Sequence, residues 1–403
     1  MKLTAKHTVY SCYLGYVTQA IVNNLPPLLF LTFHKQFGIS LDRISLLITA
    51  NFCIQILVDF LSPGIIKKTG YRKAALCSFL VTVIGLTGFY YLPFLLDPYV
   101  GILICMGFNA VGGGILEVIV SPMVEACPGK NKEARMSLLH SFYCWGHMGV
   151  VILSTVFFTF IGIGNWRLLP VLWALVPAGT FFLFTRVPIY SIPGDDEETK
   201  PSVSVFRQKA FWLIFFIMIC AGASEQAVSQ WSSMFAEDGL KVSKTVGDLL
   251  GPCSFAFFMG LSRLLYGLKG EKLNIVRSLK ATSILCVAGY LITSLSPLPL
   301  LSLAGCAVCG FSVGLMWPGS FSLGALMCRG GGTLMYGMFA LAGDVGCSAG
   351  PGLVGILSQI SGKMTVGIFT ALVFPVLLLV LICVLRPEER KQKVTNSLDS
   401  LSV

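Results

Sequence analysis

Three acidic side chains stand where an ionised group is hardest to keep. Glu117, Glu225 and Asp344 each lie inside a long apolar run that holds no basic residue of its own. Carboxylates in a hydrocarbon setting cost at least about 2.5–3.5 kcal/mol on insertion scales, so each needs a purpose. Two histidines add to them. His140 and His147 are seven residues apart, two helical turns on one face, with Tyr143 and Cys144 between them. Carboxyl and imidazole groups can exchange protons, and apolar surroundings favour a carboxyl's neutral form. Glu117, with a histidine, is therefore read as a group that binds a proton and helps to hold a polar solute. The structural reading is a neutral buried acid hydrogen-bonded to backbone or hydroxyls, and a histidine that packs between helices. For Asp344 and His140 the two readings are equally open.

Amides and aromatic rings accompany these groups. Gln19, Asn23 and Asn24 come just before Pro26-Pro27, which must interrupt a helical ladder. Gln226, Gln230 and Trp231 follow Glu225, and Trp317 precedes Pro318, Ser320 and Ser322. Amides with aromatic faces suit sugar-like solutes, whose C–H faces stack while their hydroxyls hydrogen-bond. Tryptophans also anchor helices at membrane interfaces. Trp166 and Trp212, near helix ends, are read that way, and Trp231 fits either role.

The elements that must position these residues follow from composition. The 403 residues are 55% hydrophobic and only 12% charged, half the usual charge of a soluble domain. Too little polar surface remains to wet a globule of this size, so lipid is the solvent. A hydrocarbon core about 30 Å thick takes roughly 20 apolar residues per helix. Apolar runs then give twelve spans, at 8–33, 44–61, 74–94, 99–126, 136–162, 168–185, 210–234, 246–267, 281–296, 298–327, 333–360 and 365–385. No small-residue cleavage site follows the two lysines between Met1 and His7, so the first span is expected to be retained.

Lysine and arginine placement sets the orientation. With the amino terminus inside, 23 of the 29 fall on cytoplasmic segments and 6 on the other side, alternating loop by loop. The net charge of +10 is thus a topology signal, not a nucleic-acid-binding surface. Residues 1–186 and 210–386 are read as two six-helix bundles, 187–209 as a cytoplasmic linker and 387–403 as a cytoplasmic tail. The linker's acidic run, Asp195 to Glu198, is read as a solvated hinge.

The halves repeat. Phe142-x-x-x-Gly146-His147-x-Gly149 in span 5 has the spacing of Phe339-x-x-x-Gly343-Asp344-x-Gly346 in span 11. Spans 3, 6, 9 and 12 carry no ionisable residue and are expected to be peripheral, which leaves spans 1, 4, 7 and 10 to line a central pathway. Asp59 closes span 2 just before the basic loop of Lys67, Lys68 and Arg72. With Arg135 at the start of span 5 and Arg263 near the end of span 8, these are the expected gating residues, Arg263 being the candidate counterpart of Asp59.

Several stretches resemble one family, the fucose–galactose–glucose:proton symporters of the major facilitator superfamily. Gly-Gly-Ile-Leu-Glu117-Val-Ile-Val-Ser-Pro122 resembles its Gly-x-Leu-Glu-x-x-x-Asn-Pro, and Arg135-Met-Ser-Leu-Leu-His-Ser-Phe142 its Arg-x-x-x-x-Gln-x-Phe. Lys67-Lys68-Thr-Gly-Tyr-Arg-Lys73 is similar to its Lys-Lys-x-x-Tyr-Lys loop. Trp317-Pro318 with Phe321-Ser-Leu-Gly324, and Asn23-Asn24-Leu25, match two further motifs. The resemblance implies the major facilitator fold and makes Glu117 the carboxylate for proton and sugar. The sequence also departs from the pattern. Pro26 and Pro27 occupy the positions of the asparagine and coupling aspartate that end Asn-Asn-Leu-Asn-Asp, His140 replaces a glutamine and Ser121 an asparagine.

The expectation is an all-α membrane protein of twelve transmembrane helices, arranged as two pseudo-symmetric six-helix bundles. It would move a small polar solute, a sugar among the candidates, by alternating access with H+ as the coupling ion and Na+ as the alternative. A monomer in contact with membrane lipid is expected, and the short loops favour a bacterial inner membrane over a eukaryotic plasma membrane. The rivals are a drug or lipid exporter of the same fold, against which span 5 has no proline, and a non-transporting solute sensor. No nucleophile constellation or phosphate loop marks an enzyme. The fourteen cysteines are scattered, and the lone Cys306-x-x-Cys309 lies mid-span, so no metal or other cofactor is expected.

Overall fold

The computed structural model describes residues 3–128, 132–190, 206–269, 274–328 and 332–385. The linker run Asp195–Glu198 and the tail 387–403 lie outside them. Helices are the regular structure of the described residues. Ten are long and apolar enough to cross a membrane by length and composition. They are spans 2 and 4–12, running Leu41–Thr69, Pro98–Ala126, Lys132–Ile161, Leu168–Arg186, Lys209–Gly239, Lys244–Lys269, Ile275–Leu295, Pro299–Met327, Gly332–Ser361 and Met364–Val384. Span 1 (Ala5–Asn24, then Phe30–Phe37) and span 3 (Tyr71–Gly88, then Leu92–Leu95) complete the twelve.

Pro26-Pro27 interrupts span 1 as its missing N–H groups require. A 3-10 turn covers Pro26–Leu29, the helix resumes at Phe30, and Gly38 ends it at φ 66°, where a side chain would be strained. Span 7 breaks in the corresponding place, changing from α-helix at Ser229 to a π-helical turn over Phe235–Gly239. The breaks meet. Gln230 Nε2 donates to the Asn23 carbonyl at 3.2 Å, and the Phe30 and Trp231 rings lie 5.9 Å apart.

The internal repeat is visible as packing. Phe142 of span 5 stacks on Tyr13 of span 1 with ring centroids at 4.6 Å, and Phe339 of span 11 stacks on Phe211 of span 7 at 5.3 Å. Spans 1 and 7, and spans 5 and 11, thus correspond. Between the halves, span 2 packs on span 11 and span 8 on span 5, the same contact made twice. Spans 9 and 12 bury only 33% of their apolar stretches and span 6 39%, against 72% for span 7 and 61% for spans 10 and 11. Spans 6, 9 and 12 are thus among the least buried, although span 2, which carries Asp59, is also only 39% buried and the uncharged span 10 is central.

Glycine lets spans 7 and 11 approach closely. A methyl group at Gly346 would strike the Ile219 carbonyl, and one at Gly350 the Ala223 carbonyl. In a bilayer, where apolar side chains gain little by leaving lipid, such close backbone packing is a main source of association.

Candidate functional site

Let the end of the bundle near residues 3 and 385 be the terminal end, and the opposite one the far end. A seam joins the halves at the far end. Ser45 Oγ of span 2 donates to the Gly352 carbonyl of span 11 at 2.9 Å, and the Leu41 N–H to Gln359 at 3.0 Å. The fully buried Trp231 donates its indole N–H at 3.0 Å to the Pro351 carbonyl, which Ser45 Oγ of the other half also reaches at 3.2 Å, so Trp231 borders the seam. Deeper still, the seam includes a buried ion pair. Lys244 Nζ lies 3.2 Å from Asp248 Oδ2, donates to the Leu28 carbonyl of the other half at 2.8 Å, and sits over the Phe158 ring. Asp248 accepts from Ser233 Oγ at 2.5 Å and from Thr155 Oγ1 of span 5 at 3.4 Å. Glu237 approaches both Lys35 and Lys244, at 3.6 and 3.9 Å. Sequence reasoning misses this cluster because Lys244 counts with the outer loop while Asp248 stands alone at the head of span 8. The available signal is the i,i+4 spacing of Lys244 and Asp248 at the head of span 8.

Beneath the seam, at mid-depth, a chain of polar side chains runs through both halves. Arg263 of span 8 pairs with Glu225 Oε2 of span 7 at 3.3 Å. Glu225 accepts from Gln226 at 3.3 Å, and Gln230 donates to Gln226 at 2.9 Å as well as to Asn23. Gln55 of span 2 donates to Asn23 Oδ1 at 3.0 Å. Nearby, Gln19 Nε2 donates to Glu117 Oε2 at 2.6 Å, Tyr16 OH meets Ser121 at 3.2 Å, and Asn24 reaches Tyr143 OH at 3.5 Å. Interrupted helices and mid-span amides place these groups where backbone and side chains satisfy one another.

The candidates Gln19, Asn23, Asn24, Glu117, Glu225, Gln226 and Gln230 thus come together. His140 joins them. Its ring lies edge-on to Tyr16 at 5.4 Å and close to Arg263, yet it is exposed while Leu139 and Ser141 beside it are buried. Because its neighbours belong to spans 1 and 8, that exposure opens into the space between the halves and not towards lipid. Trp317 of span 10 is half-buried beside Gly343 and Phe321. His147 is buried in span 5, outside the chain of hydrogen bonds.

The expected gating residues lie elsewhere than their assignment requires. Arg263 pairs with Glu225, not with Asp59. The Asp59 side chain instead lies near Asp344 of span 11, across the halves. Arg72 binds the Phe184 and Val187 carbonyls at 2.6 and 2.8 Å, and Arg135 the Cys127 carbonyl at 3.1 Å. Both serve helix ends within their own half, where a cation complements the dipole. Lys68 is exposed, and the side chain of Lys67 lies outside the described residues. Trp166, read as an interface anchor, is buried against Phe33 and bonded to Gln36 at 2.8 Å. Trp212 remains 43% exposed, as an anchor should be.

Two six-helix halves, related by a repeat and enclosing a polar mid-membrane site, match a known family over residues 12–351. The chain belongs to the major facilitator superfamily. Among solved structures of that fold, it is similar to the E. coli fucose:proton symporter FucP, with 14% identity to one FucP structure, 93% of this chain and 97% of that one covered, and a TM-score of 0.64. The nucleoside transporter NupG gives 12% identity, coverage of 94% and 98%, and a TM-score of 0.74. A D-xylose–proton symporter gives 10%, 94% and 95%, and 0.76. No curated protein matches the sequence. This major facilitator chain is a multi-pass membrane protein with the fold of a transporter.

Proposed function

We propose that the protein is a secondary active transporter that carries a small polar, sugar-like solute by alternating access, coupled to protons through Glu117. The observation that carries this reading is the chain of buried amides and carboxyls to which both halves contribute. Spans 1 and 2 supply Asn23 and Gln55, spans 7 and 8 supply Glu225, Gln226, Gln230 and Arg263, and the Gln19–Glu117 pair of spans 1 and 4 stands beside them. A site shared in this way changes whenever the halves rock, so binding and opening are linked. The bundles 1–186 and 210–386 would move as units on the 187–209 linker, in a monomer surrounded by lipid.

With the termini in the cytoplasm, the sealed far end faces outward and the opening at His140 faces the cell interior. Glu117 is half-buried at this opening, and Gln19 donates to it at 2.6 Å. That arrangement supports a carboxyl that gains and loses a proton as access alternates. The sugar and nucleoside substrates named for FucP, NupG and the xylose symporter agree with a polyhydroxylated solute.

The test is uptake into proteoliposomes under an imposed pH gradient, with the solute first found by thermal stabilisation across a sugar and polyol library. Glu117→Gln should abolish accumulation against the gradient while solute exchange continues. Uphill uptake that persists in this variant would remove Glu117 from coupling.

A further inference from the structure

Arg263 is more cation than a neutral solute needs. Hydroxyls are served by the neighbouring amides and rings, so a permanent charge within span 8 requires another reason. Its guanidinium has five N–H donors arranged as a planar fork suited to carboxylate. Glu225 holds one corner of that fork, through a single contact at 3.3 Å. The Cys144 sulfur lies close by, and the buried Nε has no partner among the described residues. Buried arginines that serve structure alone are normally satisfied on every edge. This one is held loosely, beside the opening at His140, with 17% of its side chain still accessible.

We infer that Arg263 is the recognition site for a carboxylate on the solute, with Glu225 holding its place in the empty transporter. This rests on the transport reading above and names the solute class, an acidic sugar or related hydroxy acid. On binding, the solute carboxylate takes the Nε edge of the fork and displaces Glu225. Glu225 then takes up one proton from the solvent pool, forming its carboxyl O–H, so the net charge of the site is unchanged. Each anion thus brings one proton to Glu225, in addition to the one that Glu117 carries. The ionisable groups facing this exchange are Tyr16 of span 1, Glu117 of span 4, His140, Tyr143 and Cys144 of span 5, and Asp344 and Cys347 of span 11. None of them is a second permanent cation. Arg263 is thus the group in this set that can hold an anion at any physiological pH.

The experiment pairs ligands that differ only in the carboxyl group. D-glucuronate and D-glucose, then D-galacturonate and D-galactose, are titrated against the purified full-length protein by thermal shift and calorimetry. The acid of at least one pair should bind at least tenfold more tightly than its neutral partner. Its affinity should rise as pH falls, by up to about tenfold per unit, because binding takes up a proton. Glu225→Gln removes the competitor, so acid binding should strengthen several-fold at pH 7.5 and lose the part of its pH dependence that Glu225 carries, leaving that of Glu117. Arg263→Lys should weaken acid binding, and Arg263→Gln should abolish it. The double variant Arg263→Gln with Glu225→Gln removes both charges together, which guards against misfolding, and it too should bind no acid. Neutral sugars preferred over their acids, or acid binding unchanged in the double variant, would overturn the inference and leave the transport reading standing. If neither acids nor neutral sugars bind while another solute does, both the inference and the sugar reading fall.

Discussion

Two of the ion pairs inside this protein are built differently. At the far end, Lys244 and Asp248 are 3.2 Å apart, and Asp248 is 1% exposed with hydroxyls from Ser233 and Thr155 on its oxygens. At mid-depth, Arg263 and Glu225 touch once at 3.3 Å, and a buried guanidinium nitrogen goes without a partner among the described residues. The first pair binds its surroundings on every side and includes groups of both halves. The second lies within one half and leaves a donor free. A buried pair stabilises only when its remaining valences are filled, because desolvation otherwise outweighs attraction. The seam is therefore a place to hold, and the polar chain a place to exchange.

The largest expected effect breaks that contrast directly. Asp248→Asn strands Lys244 inside the seam and should cost about 3–5 kcal/mol of stability, read as a fall in the melting temperature of the detergent-solubilised protein. Pairing it with Lys244→Met should recover most of the loss, since replacing both charges is often neutral. Glu225→Gln, at the looser pair, should cost no more than about 1 kcal/mol. Equal losses at the two sites would erase the distinction.

A smaller effect separates the two copies of the repeat. Gly346→Ala forces the Ile219 carbonyl away and should cost about 1–3 kcal/mol. Its counterpart Gly149 has nothing within reach of an added methyl group, so Gly149→Ala should stay within about 0.5 kcal/mol. Melting curves of the two variants, measured side by side, decide this. The smallest effect is at the edge of the seam. Trp231→Phe keeps most of the ring and loses one hydrogen bond to Pro351, worth about 1 kcal/mol. A change in solute affinity with no change in melting would instead place Trp231 in the pathway.

Much of this organisation is legible in the amino-acid sequence. Apolar runs of span length, with lysine and arginine in alternate loops, require twelve helices because unpaired backbone cannot remain in hydrocarbon. The Phe-x-x-x-Gly repeat of spans 5 and 11 is visible in sequence because each phenylalanine packs on the first helix of its own half. Pro26-Pro27 dictates the break in span 1, since proline offers no N–H. Mid-span amides and acids are identifiable one by one, because each is costly in lipid unless it is paired.

Pairing is not legible in the same way. Depth matches Arg263 to Asp59, but depth along a helix says nothing about which face a side chain takes, and the rotation of span 8 turns it to Glu225. Gln55 carries no signal beyond being polar in an apolar run, yet it bonds Asn23 from the neighbouring helix. Lys244 reads as a loop charge and Asp248 as a lone acid at the head of span 8, and only the three-dimensional structure brings them together against Ser233 and Thr155. By itself the sequence determined which segments cross the membrane, how they repeat and which residues are too polar to be idle, since lipid imposes those terms on each segment separately. Only the tertiary structure decided which charges meet, where the halves seal and which donors are left for a solute, because those depend on helix rotation and close packing between segments far apart in the chain.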